Sequence, residues 1–254
     1  MKKHYWIIAV PICVLLCAPG MFGQSPPPPS SSEGWEFRVI PYVWGSSVNG
    51  RLGIGDRTAD VDASFGNVLD HLHFAFMNLF DASWNNKIVL LTDLVYTDLR
   101  GERATPGPLF SSVTPNQKLF FLTPEGGYRL LDTSRASVDV VGGIRYWHLK
   151  TRLQFQPGLL PGIDVQRGRG WVDGIAGLRG KAYLPRNWWV SGYGDLGGGG
   201  SSFTYQIIGT AGVDIHKHYA LVFGYRYLNV DYDKEQFLFD TTMKGPLLGF
   251  TFKF

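Results

Sequence analysis

The feature that most restricts this chain is the period of its polarity. From Trp35 to Phe254, apolar and polar side chains alternate in segments of about ten residues, the period of a half-buried strand. After residue 23 no run approaches the roughly 18 apolar residues of a membrane-spanning helix. No long stretch repeats at helical spacing either. Trp35, Phe37, Val39, Pro41 and Val43 fall on one face, against Glu36, Arg38, Tyr42 and Ser46. Ile88, Leu90, Leu94 and Tyr96 oppose Asp93 and Thr97. Val138, Val140, Ile144 and Tyr146 oppose Asp139, Arg145 and Trp147. Val172, Ala176, Leu178 and Ala182 oppose Asp173, Arg179 and Lys181, and Tyr219 to Tyr227 alternates around Arg226.

A soluble β-sandwich also alternates, and two observations count against it. Most segments can run about 12 residues or more, where soluble strands hold about five or six. Aromatics also gather at segment ends. Trp35, Trp84, Trp188, Tyr219 and Phe254 mark one end, and Tyr42, Trp44, Tyr96, Tyr146 and Tyr227 the other. Two aromatic girdles around an apolar band characterise a transmembrane barrel. Composition agrees: 15 % aromatic, 32 glycines, and 18 % charged where a soluble domain has about 25 %.

The connections give a topology. Short polar ones fall at Asn85-Asn86, 131–134, 185–187 and 216–218. Longer glycine-rich or charged ones fall at 46–70, 101–116, 151–169, 197–202 and 230–236. The two kinds alternate, so the fold class is all-β: an antiparallel transmembrane β-barrel of about ten strands, with eight as the alternative. Short turns belong to the periplasmic side, which puts both termini there. The first strand must pair with the last, because an open edge in lipid leaves backbone groups unsatisfied. Leu248, Phe250, Phe252 and Phe254 occupy alternate positions of a last strand that ends the chain. Phe250, Phe252 and Phe254 resemble the assembly signal by which the barrel-assembly machinery of diderm bacteria recognises its clients.

The first residues differ from the rest. Lys2 and Lys3 precede the apolar stretch Trp6 to Leu16, followed by small residues at Ala18, Gly20 and Gly23. That pattern reads as a secretory signal peptide over 1–23, with a single membrane anchor as the alternative. Both cysteines, Cys13 and Cys17, lie within it, so the processed protein would hold no thiol. Leu16 stands where a lipoprotein signal carries a small residue. Loss of Lys2 and Lys3 takes the formal charge from +3 to +1, and no basic stripe argues for nucleic acid. Residues 24–34, with Pro26 to Pro29 and Ser30 to Ser32, read as a periplasmic spacer, and 35–254 as one barrel domain.

Several stretches carry a resemblance to a known family. They are Pro41-Tyr42-Val43-Trp44, Gly55 to Leu72, Gly143-Ile144-Arg145-Tyr146-Trp147, Gly224-Tyr225-Arg226-Tyr227-Leu228, and Met243-Lys244-Gly245-Pro246. Together they resemble an abundant, poorly characterised family of bacterial outer-membrane barrel proteins. In general plan the chain also resembles small OmpA- and omptin-type barrels. The resemblance implies the fold, an outer-membrane location and lipid as partner, and no catalytic residue.

If the apolar face meets lipid, the other face fills the lumen. It would carry Glu36, Arg38, Asp81, Asp93, Glu125, Arg129, Asp139, Arg145, Asp173, Arg179, Lys181, Asp195, Asp214 and Arg226. Isolated charges in a narrow lumen are costly, so these groups should pair and largely plug a barrel of this size. A narrow conduit for small solutes is the alternative.

Other clusters suggest chemistry only briefly. Asp214, His216 and His218 echo an omptin-like Asp-His pair, but on the periplasmic turn rather than the outer rim. His71 and His73 share one strand face by spacing and could hold a metal. Asp56, Asp60 and Asp62 could hold calcium, without EF-hand spacing. Gly192, Gly194 and Gly197 match G-x-G-x-x-G, with a strand rather than a helix expected to follow. His148 with Ser111 or Ser112 has no spacing that joins them. The sequence therefore points to a structural or surface-interaction barrel without metal, cofactor or enzymatic activity. A porin-like channel is the first alternative and a rim-sited hydrolase the second.

Overall fold

The structure, a computed structural model, describes residues 34–54, 57–101, 103–104 and 110–254. The signal peptide, the spacer before Gly34, and Asp56 lie outside the described residues. In chain order the elements are β1 (Trp35–Trp44), β2 (Ser47–Ile54), β3 (Arg57–Ala63), α1 (Phe65–Asp70), β4 (Leu72–Trp84), β5 (Ile88–Arg100) and β6 (Arg103–Ala104). There follow β7 (Phe110–Asp132), β8 (Ala136–Pro157), β9 (Ile163–Tyr183), β10 (Trp188–Gly199), β11 (Phe203–His216), β12 (Tyr219–Lys234) and β13 (Phe237–Lys253).

Ten strands close a barrel in the order β1-β4-β5-β7-β8-β9-β10-β11-β12-β13, every neighbour antiparallel. β13 returns to β1, with Arg38 opposite Lys253 and Val43 opposite Leu248. The ladder therefore has no open edge to leave unpaired donors and acceptors in lipid. β2 and β3 form a hairpin outside the ring, joined to the early half of β13. β6 is a two-residue pairing on β7. The described chain starts and ends at the short-turn end: the Phe37 amide donates to Phe254 O, and Asn85 N donates to Gly34 O.

The turns explain that end. Asn85 and Asn86 both take positive φ (48° and 53°), as a two-residue hairpin with a right-handed twist requires. Arg186 and Asn187 do the same at β9–β10. So do Glu235 and Gln236 at β12–β13, at the opposite end. That last turn corrects one expectation, since 230–236 is mostly strand. Likewise the described residues of 101–116 belong mostly to β6 and the start of β7, and 151–169 is largely the extended ends of β8 and β9. Residues 46–70 fold as β2, β3 and α1, with the Ser64 hydroxyl capping α1 at Asn67 N. Beyond the apolar band the alternation on β8 inverts, with Trp147 and Leu149 buried inward and His148 and Arg152 exposed, while the ladder continues.

The outer face fixes the membrane position. On β8 the outward residues are Val138, Val140, Ile144 and Tyr146, then His148, Lys150 and Arg152. The ten steps from Ala136 to Tyr146 span about 26 Å at a tilt of about 40°, close to the apolar band of an outer-membrane barrel. All 22 residues of β8 would span about 57 Å by the same reckoning, so its outer half stands clear of lipid. Trp35, Trp84, Trp188, Tyr219 and Phe254 are exposed at the short-turn rim. At the other rim Phe74 packs on Tyr96, Phe120 on Tyr146, and Tyr205 on Tyr227. Tyr42 and Trp44 do not belong to that girdle. Both point inward, and Trp44 is 5 % exposed.

Candidate functional site

The lumen has two storeys. Nearest the short turns, carboxylates and guanidinium groups form one chain. Arg38 bridges Glu36 (3.1 Å) and Asp81 (3.2 Å). Arg179 bridges Asp81 (2.9 Å) and Asp139 (2.7 Å), and Arg129 reaches Asp139 at 2.8 Å. Lys253, which the sequence reading did not single out, pairs with Asp214 at 2.8 Å. These groups come from β1, β4, β7, β8, β9, β11 and β13, so the network ties strands far apart in sequence.

Above them lies a second ionic level. Arg145, wholly buried, donates to Asp195 (2.7 Å) and to the Thr123 hydroxyl (3.2 Å). Tyr193 Oη lies 2.8 Å from both Glu125 and Asp195, and Gln206 donates to Asp195. Arg226 Nη2 stands 2.8 Å from Asp93, and Arg226 Nη1 donates to the Tyr42 hydroxyl at 2.9 Å. Asp173 accepts from the Ser201 amide and hydroxyl and from Trp171 Nε1. The structure thus brings the charged residues read from the sequence to the lumen wall, in several separate groups rather than one network.

The storey toward the long connections is apolar. Trp44, Met77, Val95, Phe121, Trp147, Leu149, Trp171, Leu228, Val230, Tyr232, Phe239 and Met243 form one buried cluster. Trp147 stacks on Trp171 at 5.8 Å, and Trp171 on Tyr232 at 4.1 Å. Phe121 and Trp147 have no exposed surface. The Arg226 guanidinium lies against the Trp44 and Phe121 rings (4.7 and 5.1 Å), which joins the two storeys. Gly200 admits Trp171: a Cβ there would meet Trp171 Cδ1 at 2.6 Å. A buried aromatic cluster therefore shares the filling of the lumen with the ionic groups, where the sequence reading expected charge to supply most of it. The signal was present as paired aromatics, Phe120-Phe121 and Tyr146-Trp147. In a strand such pairs send one ring each way.

The charges instead surround a cavity of about 180 Å³, whose lining runs from Lys253 and Tyr183 beside the short turns up to Arg226. A second cavity of about 140 Å³ lies under the β2–β3 hairpin and α1, lined by Val48, Val61, Val68, Leu99 and Leu119 among others.

The remaining candidates are dispersed. His71 caps α1, its Nδ1 2.7 Å from Asn67 O, while His73 lies on β4, 3.8 Å from Asp98. They do not share a strand face, because His71 is the C-cap of α1 and precedes β4, which begins at Leu72. Asp62 accepts from Asn49, and Asp60 is paired opposite Arg51. His216 and His218 sit at the β11–β12 turn, rings 5.6 Å apart. Gly192 to Gly197 lie within β10, and β11 follows. His148 pairs opposite Phe120, whereas Val113 pairs opposite Phe155. Seven residues of strand, about 23 Å, thus separate His148 from the region of Ser111 and Ser112.

A closed, even-stranded antiparallel barrel, apolar outside and filled within, is the architecture of outer-membrane β-barrels. The fold is similar to that of the outer membrane protease OmpT from Escherichia coli: 8 % identity, 88 % of this chain, 98 % of that one, TM-score 0.52. The translocator domain of autotransporter NalP from Neisseria meningitidis aligns at 16 % identity over 89 % of this chain and 90 % of that one, TM-score 0.48. Ail, the attachment invasion locus protein of Yersinia pestis, aligns at 14 % over 88 % and 100 %, TM-score 0.41. No family model matches the sequence, and a search of curated proteins gave no match.

Proposed function

We propose that this protein is an integral barrel of the bacterial outer membrane. Its short turns and both termini face the periplasm, its lumen does not conduct, and its role lies in the wall that projects outward. The observation that carries the reading is the aromatic storey. Phe121 and Trp147 are fully buried in mid-lumen, and Arg226 is held beneath them. Water and ions would need a path through packed rings, and packed interiors leave few voids of water size. The projecting halves of β7, β8 and β9 support surface presentation. They carry the exposed Arg152–Asp164 pair and the contact between Arg169 and Glu235.

A non-enzymatic role is part of the same reading. The imidazoles and serines that could form a hydrolytic pair lie on different elements or at opposite ends.

Planar-bilayer recording tests the proposal. Purified wild-type protein should give no sustained conductance steps, and the double variant Trp147→Ala/Trp171→Ala should give steps. Sustained ion-selective steps from the wild type would overturn the closed lumen and favour a narrow solute channel.

A further inference from the structure

The short-turn storey of the lumen does not balance its charge. Its cations are Arg38, Arg129, Arg179, Lys181 and Lys253, and its carboxylates are Glu36, Asp81, Asp139 and Asp214. Four of the five cations have a carboxylate within 4 Å. Lys181 has none among the described residues. Asp214 and Asp81, whose fields reach it, are engaged by Lys253 and by Arg38 and Arg179.

The Lys181 ammonium is held by aromatic faces instead, 4.2 Å from the Trp189 ring and 5.0 Å from the Tyr183 ring. Gly212 makes that arrangement possible. A Cβ at residue 212 would lie 2.3 Å from Trp189 Cζ2, so the indole can lie flat on the backbone and under the ammonium. A charge withdrawn from water without a counter-charge is costly, and rings compensate it only in part.

Lys181 lines the 180 Å³ cavity, and its surroundings describe what would neutralise it. Across the cavity β11, β12, β13 and β1 contribute the apolar side chains Ile208, Val222, Leu247 and Ile40 between polar ones such as Thr210 and Thr251. An engineered apolar cavity of about 150 Å³ accepts benzene, so this one has room for a single ring and a small head group. Toward mid-lumen the cavity meets Glu125, whose carboxylate accepts from the Tyr193 hydroxyl, and the Arg226–Asp93 pair. The Arg226 guanidinium at that end is already engaged by Asp93, so an anion is drawn instead to Lys181, which has no carboxylate within 4 Å among the described residues.

From these we infer that the lumen cavity is a binding site for a small amphiphilic carboxylate. Lys181 holds the carboxylate, and a ring or branched chain lies against Val222, Ile208 and Leu247. The site is a pocket in a closed barrel, so it does not require transport.

The test uses the full mature protein in a non-ionic detergent, with 4-fluorobenzoate as probe read by fluorine NMR. Fluorotoluene and 4-fluorobenzylamine serve as neutral and cationic counterparts. The expected result is saturable binding of the carboxylate alone, weakened about tenfold or more by Lys181→Met and kept by Lys181→Arg. Lys181→Met removes an unpaired charge, so it should fold with undiminished stability, checked by the heat-modified shift on gels. Should Lys181→Met fail to fold, Ser191→Glu, which places a carboxylate opposite Lys181 on β10, should abolish binding in its stead. Equal binding of the neutral probe, no saturable binding, or binding untouched by these variants overturns the assignment.

Discussion

The two storeys of the lumen use opposite means to fill the same tube. Toward the short turns, Asp81 and Asp139 each serve two guanidinium groups, and the space between the walls remains a cavity. Toward the long connections, Trp147, Trp171, Tyr232 and Phe239 pack on one another across the tube, and the smaller cavity lies to one side, against Trp44, Met77 and Leu149. The difference teaches what each kind of filling is good for. Ion pairs are directional and leave gaps where geometry forbids contact, which suits a site. Aromatic rings bring large area and pack on any face, which suits a seal.

The comparison breaks most sharply at Trp147. Trp147→Ala leaves a void in a region with no exposed surface, and such truncations cost about 3–5 kcal/mol. Urea unfolding in lipid should show a loss of that size. An Ala substitution that changes nothing would mean the aromatic storey is not the seal.

Next in size is Arg145, in the ionic storey but wholly buried with its partner Asp195. Arg145→Met strands the Asp195 carboxylate, which should cost about 3 kcal/mol or more. The double variant Arg145→Met/Asp195→Leu should recover most of it, because a buried pair is often replaceable by apolar groups. If the double variant is as unstable as the single, the cost lies in the Tyr193 hydroxyl, the Gln206 amide and the Thr123 hydroxyl that lose the pair as their partner.

Gly212 gives a smaller, more local effect. Gly212→Val drives a side chain into the Trp189 ring, and overpacking of this kind costs about 1–3 kcal/mol. Indole fluorescence and urea midpoint would follow it. The aromatic storey should be unaffected, which hydrogen exchange on β8 would verify.

What the sequence made legible divides along the same line. Period-two alternation ran from Val138 to Tyr146 because one face meets lipid there, and lipid tolerates no polar side chain. That constraint yields the ten strands, the closure of β1 on β13 and the inward placement of Arg145 and Arg226. It ends where the membrane ends. Past Tyr146 the phase inverts: Trp147, Leu149, Leu153 and Phe155 turn inward while His148, Lys150, Arg152 and Gln154 face water, so the apolar outer face that marks a lipid-facing strand stops there although the alternation continues. So 151–169 read as a loop although Thr151 pairs with Arg167 and Phe155 with Ile163. Tyr42 and Trp44 misled for another reason. An aromatic near a strand end suggests a girdle, but alternation already put Tyr42, and Trp44 two residues on, on the face of Glu36 and Arg38, and that face is the lumen. The ionic groups were legible one by one, but which cation lacked a partner depends on distances across the ring, as Lys181 illustrates.

The smallest expected effect lies farthest out, at Asp164. It accepts from Arg152 on the outward face of β8–β9, above the lipid band, and that hydrogen bond holds its carboxyl below the ordinary carboxylate range. A depressed value in the folded state means the contact contributes above the unfolded carboxylate range and is lost as pH falls through the folded one. Both side chains are open to solvent, so screening leaves the pair little weight in global stability. Asp164→Asn should therefore leave the unfolding midpoint where it is. It should speed amide exchange between residues 152 and 164 at neutral pH, and wild type should approach the variant's rates, corrected for intrinsic exchange, as the solution is acidified. Farther in, Arg169 donates to the Tyr232 hydroxyl and so ties the same hairpin to the aromatic storey. Exchange at Trp171 and Tyr232 should stay slow in the variant. Fast exchange there as well would mean that the seal and the projecting hairpin order as one unit, and the boundary between storey and surface would have to be drawn higher.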